Sequence, residues 1–160
     1  MSKRYNFPEW LNKSKFDQYQ LGQIKEEIKS GLESGIDTSI YAKPEFDADQ
    51  MHEIRQGLEA GIDVSVYTKP EFDAGQMYEI KEGLRKDLDV SIYANTDFNP
   101  EQMREIKKGL ENGIDVSVYA NPNFDEHQMQ EIRKGLEAGV DISIYANPNF
   151  DVSQMSQIRT

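Results

Sequence analysis

Cysteine is absent from the 160 residues. Its absence excludes a disulfide, a thiolate nucleophile and a thiolate metal site, and accords with a reducing compartment. Histidine is nearly absent: His52 and His127 occupy unlike places in the pattern described below, so no serine–histidine–carboxylate constellation can be assembled. No apolar run is long enough to span a bilayer, and residues 1–10 lack the apolar core of a signal peptide. A cytoplasmic location is expected. Positive charge is also in short supply, with 18 Lys and Arg against 29 Asp and Glu for a net charge of −11. The acidity lies in the middle of the chain, since residues 1–15 are net basic and residues 150–160 are neutral. Such a surface repels nucleic acid and anionic lipid and attracts basic proteins. Direct nucleic-acid binding and membrane attachment are therefore not expected, whereas a protein partner with a basic surface is.

What the chain has in abundance is itself. A unit of 26 residues runs from Phe46 to Glu71 and recurs from Phe72, Phe98 and Phe124, with a truncated copy from Phe150. Phe16 opens a 30-residue copy in which Glu26-Glu27-Ile28-Lys29 reads as an insertion. The expected organisation is an N-terminal cap over 1–15 and a single solenoid over 16–160. Its full repeats are 16–45, 46–71, 72–97, 98–123 and 124–149, and 150–160 is a partial sixth.

Within Phe46–Gly61, Asp47 fits a helix N-cap, Gln50 the second half of a capping box, and Phe46 with Met51 a hydrophobic staple. Asn99-Pro100 provides the same start in another copy. Met51, Ile54 and Leu58 predict the buried stripe, and Gly61 a left-handed stop. Gly57 sits mid-helix, where glycine costs roughly 1 kcal/mol against alanine, so a close approach by the next repeat's helix is expected. Asp63 caps a second, short helix before Tyr67. The alternation of Ile62, Val64 and Val66 leaves open a strand instead, which would give a leucine-rich-repeat-like α/β solenoid. The favoured fold class is an all-α repeat solenoid of alternating long and short helices. The 72–97 copy departs from the pattern with Asp87 in place of the stop glycine and Thr96 in place of proline, which predicts a strained joint where the array bends or loosens.

The motif Phe-Asp-x-x-Gln-Met-x-Glu-Ile-Arg/Lys-x-Gly-Leu-Glu-x-Gly-Ile/Val-Asp-Val/Ile-Ser-Val/Ile-Tyr-Ala-x-Pro resembles tandem repeats in large proteins of mobile elements and phages of anaerobic Gram-positive bacteria. The resemblance spans residues 16–160. It implies a setting in mobile DNA, where small acidic proteins often antagonise host defences, and no reaction, cofactor or binding residue.

No catalytic, cofactor or metal site is expected. Asp63-Val-Ser65 and its counterparts read as caps, since one active site does not come in five copies. Asp47-Ala-Asp49 lacks the glycine and closing glutamate of a calcium loop. The tyrosines at 41, 67, 93, 119 and 145 read as core. Arg55, Lys81, Lys107 and Arg133 are expected to pair locally with Glu59, Glu111 or Glu137.

Recognition is expected where the copies differ, on a face turned away from Met51. In successive repeats that candidate partner-binding face comprises Asp49, His52, Glu53 and Gln56; Gly75, Tyr78, Glu79 and Glu82; Glu101, Arg104, Glu105 and Lys108; His127, Gln130, Glu131 and Lys134. Met155 and Ile158 are expected to lie uncovered as a self-association or docking end. The function expected is that of a non-catalytic, acidic protein-binding module. The alternative is an anti-defence inhibitor of anti-CRISPR or anti-restriction type whose acidic surface blocks a basic nucleic-acid groove.

Overall fold

The computed structural model describes residues 5–159. It is an all-α repeat solenoid in which long helices alternate with 3-10 turns, and no strand occurs among the described residues. The long helices are α1 (Gln18–Glu33), α2 (Ala48–Glu59), α3 (Ala74–Arg85), α4 (Pro100–Glu111), α5 (Glu126–Glu137) and α6 (Val152–Arg159). Between them lie the turns Thr38–Ile40, Val64–Val66, Val90–Ile92, Val116–Val118 and Ile142–Ile144, and a further 3-10 helix, Glu9–Lys13, precedes α1. The chain divides into two compact units, one up to Lys81 and one from Glu82 onward. The first four residues of the expected N-terminal cap, and Thr160, lie outside the described residues.

The helix starts follow from side-chain chemistry. Asp47 Oδ1 accepts the Gln50 amide at 2.8 Å, while Gln50 Oε1 accepts the Asp47 amide at 2.9 Å. Two of the orphan donors at the helix start are thereby satisfied. The same reciprocal box opens α1, α4 and α5. The short element is a turn rather than a strand for the same reason. Asp63 Oδ1 accepts both the Ser65 amide, at 3.1 Å, and the Ser65 hydroxyl, at 2.6 Å, which closes the backbone into a 3-10 start. That serine hydroxyl holds the Asp63 carboxyl below its ordinary range, and the Ser39, Ser117 and Ser143 hydroxyls do so for Asp37, Asp115 and Asp141. Between helix and turn, Gly35, Gly61, Gly113 and Gly139 adopt φ of 70–73°, and Asp87 takes φ of 56°. A non-glycine residue there carries backbone strain, as its place in the sequence suggests.

Two expectations require correction. The buried stripe of α2 is Met51, Ile54 and Gly57, with Leu58 only half-buried and its counterpart Leu32 40% exposed. The reason lies in what Gly57 faces. A Cβ there would collide with the hydroxyl of Tyr67 and stand 2.7 Å from Val64 Cγ1, both from its own repeat, so the close approach comes from the 3-10 turn and not from the next repeat's helix. Tyr67 Oη donates to the Glu53 carbonyl at 2.9 Å, four residues before the glycine. Tyr41 reaches the Glu27 carbonyl at 2.7 Å beside Gly31, and Tyr119 the Glu105 carbonyl at 2.8 Å beside Gly109.

The register of α1 is the second correction. Tyr41 and Arg55 treat Glu27 as Tyr67 and Lys81 treat Glu53, so the 26-residue spacing already holds at Glu27. The extra turn therefore lies upstream, near 17–25, and projects beyond the start of α2. At the amino end, Trp10 Nε1 donates to the Ala42 carbonyl at 3.2 Å, Tyr5 donates to Glu33, and Lys29 Nζ lies 5.8 Å from the Tyr5 ring centre.

The tyrosine contact generates two predictions. Gly109→Ala would raise stability by about 1 kcal/mol at an open helix position; here it is expected to lower it by about 1–3 kcal/mol through overpacking, with partial recovery on adding Tyr119→Phe. Tyr119→Phe alone is expected to cost about 0.5–1.5 kcal/mol. Tyr145→Phe should not lower stability, because the buried Tyr145 hydroxyl has no hydrogen-bond partner among the described residues and its removal relieves a desolvation penalty. Urea unfolding of the set checks both signs. The second concerns alkali. Burial pushes the hydroxyls of Tyr41, Tyr67 and Tyr119 well above the ordinary range. A raised folded-state value stabilises fully below the unfolded value of about 10 and is lost as pH rises past it. The denaturation midpoint should hold to about pH 9 and fall steeply above pH 10, with phenolate absorbance at 295 nm appearing together with unfolding.

Candidate functional site

The candidate face is built on the long helices, and its geometry depends first on what the helices use to hold one another. Gln50 extends its role beyond the cap: its Nε2 donates to the Pro70 carbonyl at 3.2 Å, near the end of its own repeat, and to the Phe72 carbonyl at 2.7 Å, at the start of the next. Gln102 does the same to Pro122 and Phe124, and Gln128 to Pro148 and Phe150. Beside this clamp runs a series of ion pairs between residues 28 apart. In the first unit Arg55 Nε meets Glu27 at 2.6 Å and Lys81 Nζ meets Glu53 at 2.7 Å. In the second, Arg133 meets Glu105 and Arg159 meets Glu131, each at 2.9 Å.

These pairs remove residues from the expected recognition face. Glu105 and Glu131 are buried and Glu53 is half-buried, each paired with a cation of the following repeat, and Glu79 is buried, so these glutamates are not outer-face ligands. The position one residue before the core isoleucine is turned about 100° from it, and that flank is covered by the following helix. The basic residues are corrected likewise. Arg55 and Arg133 do make the local pairs with Glu59 and Glu137, at 2.8 and 2.7 Å, but each also spans to the preceding repeat. The Arg133 hydrogen bond holds the Glu137 carboxyl below its usual range.

The remaining candidates stay on the outside. Asp49, Tyr78, Glu101, Arg104, His127 and Lys134 are exposed, and Gly75, His52, Gln56, Glu82, Lys108 and Gln130 are half-buried. Several lean on the ties: Gln56 accepts from Lys81 at 2.6 Å, His52 Nδ1 stands 3.1 Å from Glu27, and Lys108 lies 3.3 Å from Glu105. Of the proposed docking end, Met155 is fully buried, because its side chain fills the core slot that Met129 fills in the preceding copy; Ile158 remains 40% exposed.

The sequence reading missed a groove. The projecting turn of α1 and the start of α2 frame an open depression of about 570 Å³ lined by Tyr19, Gly22, Gln23, Glu26, Asp49 and His52 among others. Tyr19 is 74% exposed over it. The four extra residues of the first copy were the available signal, but assigning them to 26–29 concealed where the extra turn falls. Among the described residues no group of three or more His, Cys, Asp or Glu could hold a metal ion, and no helix is long and apolar enough to cross a membrane. Comparisons with family models, curated proteins and solved structures found no match to this chain.

The ties generate a prediction. Glu105 and Arg133 expose only 9% and 11% of their side chains. Removing one member of a buried pair costs about 3–5 kcal/mol; with Glu137 still beside Arg133, Glu105→Ala is expected to cost about 2–3 kcal/mol. Arg104→Ala, on the exposed face, should change stability by about 0.5 kcal/mol or less. Paired thermal and urea melts check the contrast.

Proposed function

We propose that the protein is a non-catalytic, acidic binding module that recognises a basic protein surface through the variable outer face of its long helices. One observation carries this reading. Beside the glutamates and cations that tie repeats together, outward helix positions change from copy to copy. Position 52 becomes Tyr78, Arg104 and Gln130 in turn, and position 49 becomes Gly75, Glu101 and His127. Framework constancy with surface variation is the division of labour by which repeat arrays acquire partners. The acidity gives the partner its sign.

A second reading has its own support. Asp37, Asp63, Asp115 and Asp141, which cap 3-10 turns, are exposed and held in their ionised form by serine hydrogen bonds, as a series of fixed negative charges. Together with the resemblance to repeats of mobile-element proteins, this favours an inhibitor that occupies a nucleic-acid groove on a defence effector. In that case the protein should displace labelled DNA or RNA from such an effector, with potency falling as salt rises.

The primary test is affinity capture at low and high salt with the wild type and an outer-face variant, Asp49→Arg, Tyr78→Ala, Glu101→Arg, His127→Ala. The wild type is expected to retain a basic protein that the variant loses at an unchanged melting temperature. Equal retention by the variant would move recognition off this face. Failure of the wild type to retain any basic protein would overturn the module reading.

A further inference from the structure

The outer face is not the only exposed surface with a pattern. Each 3-10 turn ends on an aliphatic β-branched residue: Ile40, Val66, Ile92, Val118 and Ile144. Ile92, Val118 and Ile144 are 38%, 43% and 66% exposed. Core packing does not call for an aliphatic at so open a position. On the long helices, the exposed or half-buried position of His52 has drifted between copies to Tyr78, Arg104 and Gln130. A position that stays aliphatic in every copy, half-buried at Ile40 and Val66 and exposed at the other three, offers a recurrent apolar surface to a partner.

The surroundings indicate what that is. In the first unit Ile40, Leu58, Ile62 and Val64 line an open groove of about 510 Å³ between two successive turns, with Asp63 and Lys43 at its edge; the second-unit counterparts of Lys43 are Asn121 and Asn147. In the second unit the same positions recur in each copy, with Asp115 and Asp141 capping their turns. Hydrogen bonds from serine hold those two carboxylates and Asp63 ionised, so an apolar ledge edged with fixed negative charge stands at each of those turns. A second copy of the chain laid face to face would oppose aspartate to aspartate. A cationic amphipathic partner instead pairs its charges and buries its apolar stripe. The spacing also suits a helix. Neighbouring packed helices stand about 8–10 Å apart, so ledge positions in one unit recur at about that interval, and residues i and i+7 of an α-helix are separated by about 10.5 Å.

We propose that the 3-10 ledge of each unit docks an amphipathic basic helix of a partner protein, with aliphatic side chains seven residues apart entering between successive turns and Lys or Arg meeting the capping aspartates. The proposal rests on the protein-binding reading but places a second contact on a different face.

The test uses a fluorescein-labelled helical peptide of about 21 residues with leucine at heptad a and d positions and lysine elsewhere, beside a scramble of identical composition. Anisotropy titration is expected to show the heptad peptide binding at least about tenfold more tightly than the scramble, and Val118→Ser, Ile144→Ser reducing that affinity by about tenfold. Arg104→Ala, on the outer face, should leave it unchanged. If the double variant loses its helical circular dichroism, Ile144→Lys alone carries the test, since its side chain is mostly in solvent. Equal binding of heptad and scrambled peptides would reduce the effect to net charge and overturn the proposal, as would binding indifferent to the ledge variants or no binding of the heptad peptide. Light scattering that shows a wild-type dimer dispersed by Ile144→Lys would also overturn it, by giving the ledge to a second copy. None of these failures touches the outer-face reading, whose variants are separate.

Discussion

A buried phenol hydroxyl needs an acceptor, and in this repeat the acceptor is a carbonyl already inside a helix. The Glu53 carbonyl lies four residues before Gly57, where the helix ladder places the Gly57 amide as its partner. Tyr67 adds a second donor from the side. Only a residue without Cβ leaves room for that approach, so the glycine that weakens the helix is the residue that lets the turn lock onto it. The rest of the unit is arranged around this contact. The left-handed residue at 61 reverses the chain, Asp63 closes the turn that aims Tyr67, and Val64 packs beside the hydroxyl. Helix and turn become one block before any neighbouring repeat is added.

Coupling between blocks then combines the buried apolar side chains that recur in each repeat with polar groups of high specificity. One Gln50 side chain accepts from its own cap and donates to the Pro70 carbonyl near the end of its own repeat and the Phe72 carbonyl that opens the next. That arrangement satisfies backbone groups that would otherwise lie buried at a loop, where an unpaired carbonyl costs about 1–3 kcal/mol. The 28-residue ion pairs do the same work on the adjacent flank. Because each tie reaches only one repeat forward, the stability of each unit follows nearest-neighbour terms.

The features that the sequence made legible are those whose partners lie close by. Asp47 with Gln50, Asp63 with Ser65, and Gly61 are two or three residues from what they bond, or act alone, and their geometry is fixed by local rules. The glutamates were misjudged because their partners lie 28 residues away and are constant too. A residue that repeats identically looks the same whether it faces solvent or the equivalent surface of its neighbour. Gln50 hid its second role behind its first. Gly57 signalled a close approach but not its source, since a tyrosine ten residues ahead and a helix 26 residues ahead are equally compatible with one missing Cβ. Asp87 was legible because it broke the pattern: a lone substitution at a stop position can only be accommodated by the left-handed conformation it adopts.

The net charge of −11 also changes meaning once its carboxylates are placed. Glu27, Glu53, Glu105 and Glu131 are neutralised by cations from the following repeat and contribute little to the external field. Asp37, Asp63, Asp115 and Asp141 are exposed and held ionised by serine hydrogen bonds, but each sits against the partial positive charge of a turn start, which shortens the reach of its field. The surface is therefore less a uniform anionic coat than a set of fixed charges at repeat spacing, set beside either variable polar side chains or constant aliphatic ones. A partner that sensed only net charge would gain nothing from that register. A partner with charges and apolar groups at matching intervals gains at each copy it crosses, which is how a repeat of modest individual contacts becomes selective.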